Sequence, residues 1–133
     1  MRWTDDFSVG NLHIDEQHSI LIDTINQLAS AESLQNHHSV SMILDELASY
    51  AAFHFHYEER LIAAAGYPDL EAHRAIHGNF VKWVSDLRDE YLTFGRRPLR
   101  ESVLTYLRDW LGHHILGEDQ RYRPYIETAG CPV

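Results

Sequence analysis

The sequence has little that could cross-link it, interrupt it or carry it to a polyanion. Its 133 residues include a single cysteine, Cys131, so no internal disulfide can form. There are 4 prolines and 7 glycines, and the clear breakers are "GYPD" at 66–69 and "GRRP" at 95–98. Positive charge is scarce: 11 Lys and Arg stand against 20 Asp and Glu, for a formal net charge of -9. That balance speaks against nucleic acid and against anionic membrane surfaces as main partners. No apolar run approaches the ~20 residues that a transmembrane helix needs, so no membrane insertion is expected. The first residues, "MRWTDDFSVG", lack the basic and apolar regions of a secretory signal, and a cytoplasmic location is expected. Strand-like alternation of useful length, internal repeats and low-complexity tracts are missing as well.

What remains is an apolar-periodic chain, 44% hydrophobic, of a size that suits one domain over residues 1–133. Its periodicity predicts four helices. The first covers about 14–31, with Ile14, His18, Leu21, Ile25 and Leu28 on one stripe. The second covers about 40–65, capped by Ser39 and stopped by Gly66, with Leu44, Leu47, Ala51, His54, Glu58, Leu61 and Ala65 in line. The third follows Asp69 and aligns His73, His77, Phe80, Val84, Leu87, Tyr91 and Phe94. The fourth starts near Pro98 and carries Leu99, Val103, Leu107, Trp110 and His114. Steps of three and four are the seam of nearly parallel or antiparallel helices. Short connections then give an all-α, up-down-up-down antiparallel four-helix bundle. The first ten or so residues form an N-terminal arm, with Trp3 and Phe7 expected across the bundle surface.

Histidine is the excess. There are 10 in the chain, and each predicted helix turns at least one inward: His18, His54, His73 with His77, and His114. Glu58 joins them one turn beyond His54. Buried imidazoles and carboxylates need partners, and one metal centre would satisfy all of them. Spacing of i, i+4 brings two ligands within reach of a common ion. Imidazole mixed with carboxylate suits iron, zinc or manganese better than calcium or magnesium. A lone seam histidine is more often a hydrogen-bonded core residue, and an i, i+4 pair alone is weak. Their coincidence on all four helices is not. His37 and His38 fall in the first connection and are expected to be solvated; His13 precedes the first helix, and His56 and His113 are off the seam. Glu59 reads as an acid at the surface or just behind the ligands, Asp15 and Glu16 as favouring a helix N-terminus, and Cys131 as a tail thiol.

The stretches "IDEQH" (14–18), "HFHYEE" (54–59), "HRAIH" (73–77) and "WLGHHILGED" (110–119) resemble the hemerythrin family in its bacterial single-domain form, in order and spacing. The resemblance covers roughly residues 3–119. It implies a non-haem site of two iron ions (Fe2+/Fe3+). His73, His77 and His114 would bind one and His18 and His54 the other, with Glu58, Asp119 and an oxo or hydroxo group bridging. Only the two-histidine iron would keep a vacancy. The implied activity is reversible dioxygen binding for carriage, storage or delivery, not enzymatic turnover; di-iron oxygenases in bundles use mostly carboxylates. Trp110, Ile115, Leu21 and Ile22 are expected to line the O2 pocket. The alternative is an O2- or redox-sensing domain acting on an output domain or partner. Two departures stand out: His113 precedes the ligand position where an amide is frequent, and Ile62 stands where methionine is common.

One geometric consequence follows. His114 and Asp119 are five apart, which in a regular α-helix turns the second side chain about 140° from the first. For both to reach the metals, the last helix must widen or break between them, and Gly117 would ease this.

Overall fold

The computed structural model describes residues 2–93 and 101–128. A short 3-10 turn, Asp5–Phe7, leads to α1 (Leu12–Ser33), α2 (His37–Ala64), α3 (Leu70–Thr93) and α4 (Glu101–His113). α4 continues through a π-helical turn, His114–Asp119, into α5 (Gln120–Thr128). There is no strand among the described residues. α2 packs against both α1 and α3, and α4 packs against α1. The result is the expected antiparallel four-helix bundle, with α4, the π turn and α5 as its fourth rod. Among the described residues, no helix is long and apolar enough to cross a membrane.

Capping residues place the helix starts. Asn11 is buried, and its side chain accepts from Ile14 N at 3.0 Å, so α1 begins at Leu12 and His13 is inside the helix, exposed. At α2 the cap is Asn36 rather than Ser39; its Oδ1 accepts from Ser39 N at 3.1 Å. The connection shrinks accordingly. His37 therefore lies in the first turn of α2, with Nδ1 2.9 Å from the Tyr91 hydroxyl, and is not a solvated loop residue. His38 is exposed, as expected. Gly66 adopts φ 78 at the end of α2, the left-handed conformation of a helix stop.

Two apolar clusters fill the bundle. The larger joins Leu21, Ile25 and Leu28 of α1 to Leu44, Leu47 and Ala51 of α2, Phe80 and Val84 of α3, and Leu104, Leu107 and Leu111 of α4. The smaller, at one end, joins Val9, Ile14, Ile62, Tyr67, Tyr122 and Ile126. Several stripe positions differ by one residue from expectation. Past Glu58 the seam runs to Ile62, and Leu61 is only half-buried; on α4 it runs through Leu104 and Leu111, with Val103 and Trp110 at its margin. The arm is also more integral than expected. Phe7 and Val9 are buried, and Asp15 fastens the segment by accepting from Ser8 Oγ at 2.6 Å and Val9 N at 2.9 Å. Phe94, Pro98, Leu99 and Cys131 lie outside the described residues.

Loss of the buried cap should be measurable. Asn11→Ala removes the acceptor for Ile14 N and should cost about 1 kcal/mol or somewhat more, read as a lower urea midpoint with an unchanged slope.

Candidate metal centre

Between the two apolar clusters lies a buried polar layer. His18, His54, Glu58, His73, His77, His114 and Asp119 are each at most 5% exposed. All are inward-facing, and they come from α1, α2, α3 and the π turn. His56 and His113 point to solvent, which settles the register at His114.

The two carboxylates organise the imidazoles. Glu58 Oε1 lies 2.8 Å from His73 Nε2 and 3.2 Å from His77 Nε2. Its other oxygen, Oε2, lies 3.2 Å from His54 Nε2 and 3.5 Å from His18 Nε2. Asp119 divides in the same way: Oδ1 is 3.1 Å from both His73 Nε2 and His114 Nε2, and Oδ2 is 3.2 Å from His18 Nε2. Each carboxylate therefore presents one oxygen to either side. Two groups of possible ligand atoms result, each within 4.8 Å: Glu58, His73, His77, His114 and Asp119, and His18, His54 and Glu58.

Asp119 reaches this layer because the fourth rod widens. Residues 114–119 form a π turn, as the five-residue spacing requires. The turn does not require a glycine at 117, where φ is ordinary and an added Cβ would meet nothing within 4 Å.

The layer fits a cation. His18 Nε2 and both Asp119 oxygens are buried without a hydrogen-bond partner; the 3.2 Å approach between them is poorly aligned. His77 and His114 bring two Nε2 atoms to 2.9 Å of each other. Meanwhile the outward nitrogens donate away from the centre: His54 Nδ1 to Gln17 Oε1 at 2.7 Å, and His77 Nδ1 to Glu59 Oε2 at 2.8 Å. Since those acceptors fix the proton on Nδ1, Nε2 is left with its lone pair pointing inward, the arrangement of a metal-ligating histidine.

The chain's own charges show the same demand. Burial opposes a charged imidazole at His18, but Asp119 and Glu58 outweigh it and hold His18 up to about 9. The same carboxylates overcome burial at His73 and take it to about 10. At His54 burial prevails and the pKa falls. Burial also opposes the Glu58 carboxylate, yet the imidazoles of His18, His54, His73 and His77 keep it well below its usual range. Asp119 is lowered against both burial and the charge of Glu58, through His114 and His18. Without metal, protons supply the positive charge the layer calls for.

The profile of the Hemerythrin HHE cation binding domain matches residues 10–126. The chain belongs to the hemerythrin family. It is 34% identical to a bacteriohemerythrin of Stenotrophomonas maltophilia (strain R551-3) over 95% of this chain and 81% of that one. It is 31% identical to the bacteriohemerythrin of Methylococcus capsulatus (strain ATCC 33009 / NCIMB 11132 / Bath), over 96% and 98% respectively. A crystal structure of wild-type hemerythrin superimposes with a TM-score of 0.87 at 31% identity, covering 95% of this chain and 97% of that one. The fold is thus that of the family, and it carries a His/Glu/Asp cluster that could hold metal.

The structure places Leu21, Ile22 and Ile115 in the larger apolar cluster. Trp110 flanks His114. Its ring stacks on His114 at 4.6 Å and on Phe80 at 3.8 Å, which puts it on the three-histidine side. Three residues stand behind the ligands: Glu59, expected at the surface or in this place, and Gln17 and Tyr122, to which sequence reasoning gave no role. Gln17 and Glu59 hold His54 and His77, and the fully buried Tyr122 donates its hydroxyl to Glu58 Oε2 at 3.0 Å. Tyr122 and Ile126 do continue the inward run after Asp119 in steps of three and four, a signal that could have marked the tyrosine.

The pH dependence of the metal-free protein follows. His18 and His73 are raised from 6.5 to about 9 and about 10, so their contribution is complete below pH 6.5 and is lost as pH rises through the folded values. The depressed carboxylates act oppositely: their contribution is present above the unfolded value near ~4 and is lost in stronger acid. Denaturation in chelator should therefore show stability falling steadily from pH 6.5 to 10.

Proposed function

We propose that the protein binds dioxygen reversibly at a pair of iron ions held in this layer. The observation that carries the reading is the division of both buried carboxylates: Glu58 turns one oxygen to His73 and His77 and the other to His54 and His18, and Asp119 turns one to His73 and His114 and the other to His18. In this reading His73, His77 and His114 would hold one iron, His18 and His54 would hold the other, and Glu58 and Asp119 would be shared between the two together with an oxo or hydroxo group. Such a pair, when bound, would supply the reversible two-electron exchange that a small diatomic ligand needs. The chain's residues do the rest. Five neutral imidazoles against two carboxylates keep the anionic donation low, which favours returning the ligand over committing it to chemistry. The position with fewer protein ligands, at His18 and His54, would be the one open to dioxygen. Leu21, Ile22 and Ile115 exclude water around the layer, as the apolar shell of a metal site does. Carriage without turnover is the activity this arrangement serves, and a cytoplasmic setting suits it.

Iron content tests the ligand assignment. The unsubstituted protein should hold two irons per chain. His77→Ala and Glu58→Ala should fall below that, whereas His38→Ala, His56→Ala and His113→Ala, all exposed, should not. Equal loss in every variant would remove the assignment. Acid should release the metal, because a protonated imidazole cannot ligate.

Gas binding tests the function. The reduced protein should take up about one O2 per iron pair and gain a visible absorption band that disappears under argon and returns with air. A reduced, iron-loaded protein that never shows such a band, even transiently, would rule out dioxygen carriage.

A further inference from the structure

We propose that the two metal positions are made electronically unequal by residues behind the ligands: Tyr122 and Gln17 keep the two-histidine position electron-poor, and Glu59 makes the three-histidine position electron-rich. The inference rests on the paired-iron reading above and deepens it.

Three contacts point in the same direction. The Tyr122 hydroxyl donates to Glu58 Oε2 at 3.0 Å, and Oε2 is the oxygen beside His54 and His18. A metal bound there shares its oxygen with a proton donor, which drains charge from the bond. The other oxygen, facing His73 and His77, has no phenol on it. Behind His54 stands a neutral amide, Gln17, with Oε1 2.7 Å from Nδ1. Behind His77 stands a carboxylate, Glu59, with Oε2 2.8 Å from Nδ1. A carboxylate pulls harder on the Nδ1 proton than an amide does and makes the opposite nitrogen a stronger donor. Arg74 Nε, 3.5 Å from Glu59 Oε1 and half-exposed, holds that carboxylate in place. Ligand number alone would rank the two positions; these contacts widen the difference and assign it to particular side chains.

The test is an anaerobic titration of the metal-free full chain with ferrous iron, followed by release to a chelator. Two phases are expected. Tyr122→Phe keeps the ring against Tyr67 and His73 and removes only the hydroxyl. It should tighten the weaker phase about tenfold and leave the tighter one unchanged, and Gln17→Glu should do the same. Glu59→Gln should weaken the tighter phase about tenfold and spare the other. A merely structural role for these residues would move both phases together. Phases that shift in parallel, or not at all, overturn the inference while leaving the paired-iron reading intact. An unsubstituted chain that takes up fewer than two irons overturns both.

Discussion

Two carboxylates with no access to water, Glu58 and Asp119, determine how the helices must meet. A lone anion in an apolar interior costs several kcal/mol, so each has to be surrounded by groups that can share its charge. No single neighbouring helix supplies enough of them. Glu58 draws on His18 of α1, His54 of its own helix, and His73 and His77 of α3; Asp119 draws on His18, His73 and His114. The four rods are therefore tied at one level. The apolar clusters on either side supply the drive to fold, but apolar side chains pack acceptably in more than one register. If one helix slid by a turn, an imidazole would lie against leucine and a carboxylate would lose its partner.

Imidazole orientation is fixed in two ways. His54 and His77 are held by hydrogen bonds at Nδ1. His73 has no partner at Nδ1, and ring packing holds it instead, with Tyr67 and Tyr122 edge-on at 6.1 and 5.6 Å. Trp110 stacks on His114, and Phe55 stacks on His77 at 3.8 Å. Aromatic rings thus aim the ligands where hydrogen bonds do not. This explains why "HFHYEER" combines phenylalanine with histidine and glutamate. His54 and Glu58 face the centre, Phe55 covers His77, Glu59 reaches round to its Nδ1, and His56 is left to solvent.

The helices and the inward histidines were legible in the sequence because both repeat at the helical period. What was misread involved choices that periodicity leaves open. After Glu58, a step of three reaches Leu61 and a step of four reaches Ile62; only packing against Tyr67 and Tyr122 selects Ile62. Asn36 and Ser39 are both good caps, and the tertiary contact of His37 with Tyr91 accompanies the earlier start. Gln17 and Glu59 act across helices, at sequence separations of 37 and 18, where no local spacing rule applies. The π turn was foreseeable only because the family resemblance had already placed Asp119 on the metal.

That turn does more than deliver one carboxylate. In phase terms it absorbs a single extra residue, resetting by about 100° the angle at which everything after it leaves the bundle axis. Tyr122 and Ile126 face inward in α5 on this corrected phase, as does Asp119. A regular helix of the same length would turn all three away together, exposing the anion, the phenol that holds Glu58 and one wall of the smaller apolar cluster. The widened stretch is thus a coupling joint: the chemistry of the layer and the closure of the bundle's end share one local departure from α-helical geometry, and neither can be regularised without the other.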